Sequence, residues 1–160
     1  MNGLIIAAPA SGAGKTTVTL ALLRLLKRLG HTVISAKSGP DYIDPKFHEA
    51  ASGAPCPNLD AWAMSEGRIK ALAQGTGDLL VVEGAMGLFD GAPPNGCGAV
   101  ADLARILELP VILVINASHM AQSVAALVHG FATHDPNVRI AGLSLNNVGS
   151  PRHDTILRRA

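Results

Sequence analysis

A glycine-rich turn near the amino terminus carries side chains suited to binding phosphate. In the stretch LIIAAPASGAGKTTVTLALL, an apolar run leads to Gly12, Gly14, Lys15 and Thr16, and an amphipathic helical pattern follows. Glycines let backbone N–H groups curl around a phosphate, and the amino terminus of the next helix adds partial positive charge. A lysine here can reach the β- and γ-phosphates of a nucleotide, and a threonine hydroxyl can bind Mg²⁺. The turn therefore predicts a nucleoside triphosphate site.

The turn departs from the usual phosphate-loop pattern GxxxxGK[ST] at one position, because Pro9 stands where the first glycine is expected. A structural turn with a solvated lysine is the alternative interpretation. The strand before the turn and the helix after it favour phosphate binding. Ala13 lies between the two glycines, and Thr17 lies one residue further into the helix, near the expected α-phosphate.

A carboxylate closes another apolar run. Glu83 follows LLVV, at the end of a strand where parallel sheets place ligand-binding side chains. A solvated residue at the rim of the sheet is the alternative, but the phosphate loop favours a carboxylate on the metal side of a nucleotide. Asp90 lies further along the same glycine-rich loop, and the pattern leaves its role open.

The segment AKSGPDYIDPKFHEA, residues 36–50, follows a second apolar run and is interpreted as a loop. Asp41 and Asp44 can complete a Mg²⁺ shell, because this ion binds a few carboxylates together with phosphate oxygens. Lys37 can hold an anionic substrate or a phosphoryl group in transfer. A solvated connector is the alternative, and the position after a strand, at the carboxyl edge of the sheet, favours a site.

Short apolar runs alternate with helical patterns along the whole chain. This order predicts an α/β fold of the P-loop NTPase type, with a mostly parallel sheet and helices on both faces. The predicted strands are Gly3–Ala8, Thr32–Lys37, Leu79–Glu83, Val111–Asn116 and Ile140–Leu145. The predicted helices are Lys15–Leu29, Ser65–Gln74, Gly98–Leu107, Met120–Thr133 and Pro151–Arg159.

Composition narrows the classes of partner. The chain has 160 residues, a net charge of +1 and 3% aromatic residues, which argues against a nucleic-acid surface. The apolar runs are too short to span a bilayer. Cys56 and Cys97 lack paired spacing, as is usual in a reducing compartment. We therefore expect a cytoplasmic protein without nucleic-acid or membrane partners. The last predicted helix has only about two turns before Ala160, which indicates part of a longer protein.

Three stretches together resemble the amino-terminal part of the cobyrinic acid and hydrogenobyrinic acid a,c-diamide synthases. They are APASGAGKTT, KSGPDYIDPKFHEAASG with the later NLDAW, and VVEGAMGLFDG, and GLSLNNVGSPRH is similar to a further segment of that family. The likeness covers nearly the whole chain, and the strings GPDYIDP and EGAMGLFDG are specific to the family. The general plan also resembles dethiobiotin synthetase.

The resemblance implies an ATP- and glutamine-dependent amidation of the a and c carboxylates of a corrin ring in cobalamin biosynthesis. ATP would phosphorylate each carboxylate, and ammonia from glutamine would displace the phosphate. Residues 1–160 would form the ATP-binding amidoligase domain, and the family's glutaminase domain would be absent, since neither cysteine has the context of a nucleophile. Cobalt in the corrin and a homodimeric assembly are left open.

The same resemblance implies roles for individual residues. The nucleotide would contact Gly12, Ala13, Gly14, Lys15, Thr16, Thr17 and Asn146. The metal would bind Thr16, Glu83 and one of Asp41 and Asp44, with Asp44 preferred. The substrate would face Lys37, Tyr42 and Asp90. The catalytic set would be Lys15, Lys37, Asp41, Asp44, Glu83 and Asp90. For Asn146, which matches an adenine contact of dethiobiotin synthetase, an ordinary asparagine at a strand-ending turn is equally compatible.

Three other functions stay open at this point. A dethiobiotin-synthetase-like ligase would share the phosphate loop but lack GPDYIDP. A partition-type switch ATPase would carry an extra lysine where this chain has Ala10. A nucleotide-binding fragment without turnover is the third. His48, His119 and His129 show no paired metal spacing and are expected to be structural or exposed.

Overall fold

The computed structural model describes residues 2–160 as alternating strands and helices. The strands are β1 (Gly3–Ala7), β2 (Val33–Ser38), β3 (Asn58–Leu59), β4 (Leu79–Glu83), β5 (Val111–Asn116) and β6 (Ile140–Asn146). The helices are α1 (Lys15–Arg28), α2 (Asp44–Ser52), α3 (Glu66–Ala73), α4 (Val100–Leu107), α5 (Val124–Thr133) and α6 (Pro151–Arg159).

The strands form one sheet in the order β3-β2-β4-β1-β5-β6, and every pair is parallel. Ile5 and Ile6 are neighbours on β1 but belong to two separate core clusters. Because successive residues of a strand point to opposite faces, these clusters lie on the two sides of the sheet. Leu23 of α1 packs in one and Leu103 of α4 in the other. The predicted α/β fold with helices on both faces is confirmed.

The largest difference from the sequence prediction is α2. A loop is predicted over residues 36–50, and this is wrong for its second half, where Asp44–Ser52 is helical. Pro45 lies in the first turn, where a missing N–H has no intrahelical partner to lose. Gly53 ends the helix at φ 78°, in the left-handed region that glycine adopts most easily.

Smaller differences concern element ends. The two-residue strand β3 has no counterpart in the prediction, because it is too short to show a pattern. The helix predicted from Met120 begins at Val124, since residues 117–123 form turns in which the Met120 carbonyl accepts a hydrogen bond from the His153 ring. No helix within residues 2–160 has the length and apolar character needed to cross a membrane.

The sheet order brings three chain segments to one edge. β4 lies between β1 and β2, and the turn after β1 leads into α1. Lys37 of β2 and Glu83 of β4 are directly paired in register. Since the strands are parallel, their carboxyl ends meet there, and residues that lie far apart in sequence become neighbours.

Candidate active site

The turn between β1 and α1 has the backbone that a phosphate loop requires. Gly12 and Gly14 have φ values of 79° and 94°, in the left-handed region. A Cβ at Gly14 would lie only 2.2 Å from Nδ2 of Asn146, so a larger residue would collide as well as strain the backbone. Position 9 carries a proline, whose φ is fixed near −65°, so the turn forms without a glycine there.

Lys15 spans the space between two loops. Its Nζ donates a hydrogen bond to the Met86 carbonyl at 2.6 Å and a long one to the Ala10 carbonyl at 3.5 Å. Burial, together with the positive charge of Lys37, lowers the pKa of Lys15. The site therefore disfavours this ammonium in the absence of an added anion, as suits a residue whose partner is a phosphate.

A compact charged cluster lies beside the phosphate loop. The Lys37 Nζ is 2.6 Å from Asp44 Oδ2 and 2.7 Å from Glu83 Oε1, and thus bridges the two carboxylates. The Thr16 hydroxyl donates to Glu83 Oε1 at 2.6 Å and lies 3.4 Å from Asp44 Oδ2. Side chains from α1, β2, α2 and β4 thus meet at one point.

Burial and pairing oppose each other at Glu83. Burial favours the neutral acid, but hydrogen bonds from His48, Lys37 and Thr16 outweigh it and lower the pKa of Glu83 to about 2. Burial likewise favours neutral Lys37, yet hydrogen bonds to Asp44 and Glu83 raise its pKa. Both groups therefore remain charged at neutral pH.

The two aspartates of residues 36–50, Asp41 and Asp44, make different contacts in the structure. Asp41 Oδ1 accepts hydrogen bonds from the backbone N–H groups of Ile43 at 2.9 Å and Asp44 at 3.0 Å, and so stabilises the turn that leads into α2. These bonds outweigh burial and lower the pKa of Asp41. Its Oδ2 lies 3.8 Å from Lys37 Nζ. Asp44 instead points its carboxylate at Lys37 and Thr16.

The cleft around this cluster has a volume of about 420 Å³. Its walls come from the phosphate loop, the ends of β2 and β4, and the start of α2: Ser11, Gly12, Gly14, Lys15, Thr16, Thr17, Lys37, Asp41, Asp44, Glu83, Gly84, Ala85 and Met86. Most of the predicted site residues are therefore brought together.

Four predicted site residues lie outside these walls: Ala13, Tyr42, Asp90 and Asn146. Tyr42 is 87% exposed. Asp90 Oδ2 accepts from the Gly87 backbone at 2.9 Å, within the loop that presents the Met86 carbonyl to Lys15. Asn146 Nδ2 donates to the Ala13 carbonyl at 2.9 Å and so supports the phosphate loop from β6.

His48 is a residue whose contact with the site the sequence analysis misses. It is fully buried, and its Nε2 lies 2.6 Å from Glu83 Oε2, while Nδ1 lies 3.5 Å from Cys56 Sγ. Burial lowers its pKa, but the hydrogen bonds to Cys56 and Glu83 raise it to about 9. The sequence does contain one indication that His48 lies near the site: it follows Asp44 by four residues, which places the two side chains on one face of a helix. His119 and His129 are exposed, as expected.

The oxygen atoms in this cluster suit a hard divalent cation. Mg²⁺ is usually held by one or two carboxylates plus phosphate oxygens. Thr16 offers a hydroxyl that contacts the carboxylates of both Asp44 and Glu83, and a cationic ammonium is held between those carboxylates. The chemistry of these residues therefore fits Mg²⁺ bound together with a nucleotide.

Fold and site together define a nucleotide-binding protein of the P-loop NTPase class. The chain belongs to the CobQ/CobB/MinD/ParA nucleotide binding domain family, whose model matches residues 4–160. The resemblance found in the sequence is confirmed: the chain is 56% identical to hydrogenobyrinate a,c-diamide synthase of Brucella suis biovar 1 over 164 residues, which cover 100% of this chain and 37% of that protein. The protein of the same name from Rhizobium meliloti is 56% identical, with 38% of its length covered.

The chain thus spans less than two fifths of the length of these relatives. Among solved structures, the signal recognition particle receptor FtsY from Elizabethkingia anophelis is similar in fold, with a TM-score of 0.66 over 98% of this chain and 54% of that chain. Sequence identity to FtsY is 15%, so this likeness concerns the fold alone.

Proposed function

We propose that this chain is the ATP-binding amidoligase part of a cytoplasmic enzyme that amidates the a and c carboxylates of hydrogenobyrinate, a cobalt-free corrin, in cobalamin biosynthesis. One observation carries the proposal: Thr16, Lys37, Asp44 and Glu83 gather within hydrogen-bonding distance beside a phosphate loop. The relatives named for this reaction support the choice of substrate.

The proposed reaction has two steps. A corrin carboxylate oxygen attacks the γ-phosphorus of ATP, ADP leaves, and an acyl phosphate forms. Ammonia then attacks the acyl carbon and loses a proton. The bond between the acyl carbon and the phosphate oxygen breaks, so that phosphate leaves with the former carboxylate oxygen and the amide remains. The carboxylate is already ionised at neutral pH, so the first step needs no strong base. Glutamine would supply the ammonia through a glutaminase domain that lies outside residues 1–160.

The residues of the cleft have separate tasks in this scheme. The phosphate loop and Lys15 hold the triphosphate, and Thr16, Asp44 and Glu83 would hold Mg²⁺. When bound, Mg²⁺ supplies positive charge that stabilises the transferring phosphoryl group. Lys37 supplies a second positive charge at the same edge of the sheet. Positioning and electrostatic stabilisation account for most of the catalysis in such transfers.

The test follows the oxygen atom that passes from the corrin carboxylate to the released phosphate. The protein is incubated with hydrogenobyrinate whose carboxylates carry heavy oxygen, with Mg·ATP and ammonium chloride, and phosphate and corrin are analysed by mass spectrometry. We expect label in the released phosphate and one carboxyl-to-amide mass change for each amidated site. ATP hydrolysis with unlabelled phosphate and unchanged corrin would contradict the proposal.

A switch ATPase and a dethiobiotin-synthetase-like ligase belong to the same structural class. The high identity to relatives named as diamide synthases supports the amidation instead. The same incubation separates the three, because a switch ATPase gives unlabelled phosphate with no corrin dependence, and the other ligase would leave the corrin unchanged.

The two aspartates provide the next prediction. Asp44→Asn should lower the rate of corrin amidation by tenfold or more, equivalent to about 1.4 kcal/mol in the transition state. Asp41→Asn should change it little, because the side-chain oxygen of an asparagine can accept the same two backbone hydrogen bonds as the aspartate. The rate of corrin amidation is measured for both variants with free ammonia as the nitrogen donor. Equal loss in the two variants would contradict the division of roles, and Asp41→Ala, which removes these two hydrogen bonds, controls for the position of α2.

A further inference from the structure

Both carboxylate oxygens of Glu83 have hydrogen-bond partners, and the partners of the two oxygens lie on opposite sides of the carboxylate. Thr16 and Lys37 contact Oε1 from the cleft, at 2.6 and 2.7 Å. His48 contacts Oε2 from the interior at 2.6 Å. We propose that His48 is a positioning residue, which fixes the carboxylate plane of Glu83 so that Oε1 faces the phosphate loop and the metal. This inference rests on the proposed function.

The helix that carries His48 also carries the other carboxylate. Asp44 and His48 are one helical turn apart on α2, so their side chains lie on the same face. Asp44 reaches Lys37 from this face, and His48 reaches Glu83. One helix therefore sets the position of Asp44 directly and that of Glu83, which belongs to β4, through His48.

His48 is itself held in place. Its Nδ1 lies 3.5 Å from the Sγ of buried Cys56, just before β3, and its backbone carbonyl accepts from the Ser52 hydroxyl at 2.8 Å. The ring is completely buried. Its orientation is thus determined by α2 on one side and by the start of β3 on the other, independently of the cleft.

The direction of the hydrogen bond follows from the chemistry of the pair. An ionised carboxylate can only accept, so His48 Nε2 must donate to Glu83 Oε2. A neutral ring protonated at Nε2 and a charged ring both provide this donor. The positioning role therefore does not depend on which of the two forms is present.

The experiment measures metal dependence separately from turnover. ATP binding is titrated by calorimetry over a series of Mg²⁺ concentrations for the wild-type protein and for His48→Leu, which keeps bulk but lacks a donor. We expect the half-saturating Mg²⁺ concentration to rise by about tenfold, the usual effect of removing a group that orients a metal ligand. Binding of metal-free ATP in EDTA should stay unchanged. In His48→Gln, whose amide can donate to Glu83, the half-saturating Mg²⁺ concentration should return close to the wild-type value.

A matched control separates positioning from stability. Leu23 is fully buried on α1 and is not among the residues that line the cleft. Leu23→Ala should lower the free energy of unfolding without moving the Mg²⁺ midpoint. If His48→Leu does not fold, His48→Asn, whose amide is too short to reach Glu83, takes its place. An unchanged Mg²⁺ midpoint in folded His48→Leu or His48→Asn, or failure of His48→Gln to recover, would overturn the inference. Absence of Mg·ATP binding in the wild-type protein would instead overturn the proposed function.

Discussion

Replacement of Glu83 by glutamine should lower the free energy of unfolding by about 3–5 kcal/mol, the usual cost of removing one partner of a buried ion pair. A carboxylate at a solvated strand end would tolerate this change, but Glu83 is fully buried. Its two oxygens accept hydrogen bonds from Thr16, Lys37 and His48. An amide accepts at one end only, so its NH₂ group would face a donor.

The same variant should lose Mg²⁺-dependent ATP binding. Loss of a group that merely orients a ligand already weakens metal binding by about tenfold, and loss of the ligand itself should exceed this. Urea unfolding and calorimetry with and without Mg²⁺ measure the two effects. Glu66 is exposed on α3 and has only a 3.9 Å contact with Lys70, so Glu66→Gln should change stability by less than about 0.5 kcal/mol. A Glu83→Gln protein with wild-type stability and Mg²⁺ dependence would refute the assigned role.

Replacement of Lys15 by methionine should weaken ATP binding without lowering the stability of the fold, whereas replacement of Glu83 should lower both. We expect ATP affinity to fall on the order of 100-fold, about 2.8 kcal/mol, because charge-assisted hydrogen bonds to phosphate are lost. Folding should be unaffected or slightly strengthened. Lys15 is almost completely buried, its short contact is with the Met86 carbonyl, and burial and Lys37 lower its pKa. The substitution therefore removes a charge that the protein alone does not pair with a carboxylate.

Calorimetry with Mg·ATP and urea unfolding test this combination. Lys70→Met removes the same charge from an exposed position on α3 and should leave ATP binding unchanged. Unchanged affinity in Lys15→Met would show that the glycine-rich turn is not the phosphate site. A large loss of stability together with the loss of binding would show that Lys15 has a structural role that its contacts do not reveal.

The sequence predicts well those residues whose position follows from strand order alone. Glu83 and Lys37 each end a buried run, and parallel strands place such residues at one edge. The glycine-rich turn carries its own backbone requirement, visible as Gly12 and Gly14 at positive φ. Local pattern is sufficient for all of these.

The remaining features depend on contacts between distant segments. Interpretation of residues 36–50 as a loop hid the helical spacing of Asp44 and His48, although Pro45 and Gly53 are typical of helix ends. The backbone hydrogen bonds that Asp41 accepts depend on where α2 begins. The pairing of His48 with Glu83 requires knowing that α2 packs on β2, the neighbour of β4 in the sheet, which no local pattern indicates.

The contact between Asn146 and the phosphate loop has a consequence for the order of folding. Asn146 donates to the Ala13 carbonyl across 133 positions of sequence and lies where a Gly14 side chain would be. A chain is synthesised from its amino terminus, and contacts at large sequence separation form late because closing the intervening segment is entropically costly. The glycine-rich turn is synthesised first, and the hydrogen bond that it receives from Asn146 therefore forms late. A growing chain would gain this support of the glycine-rich turn only after β6 has docked.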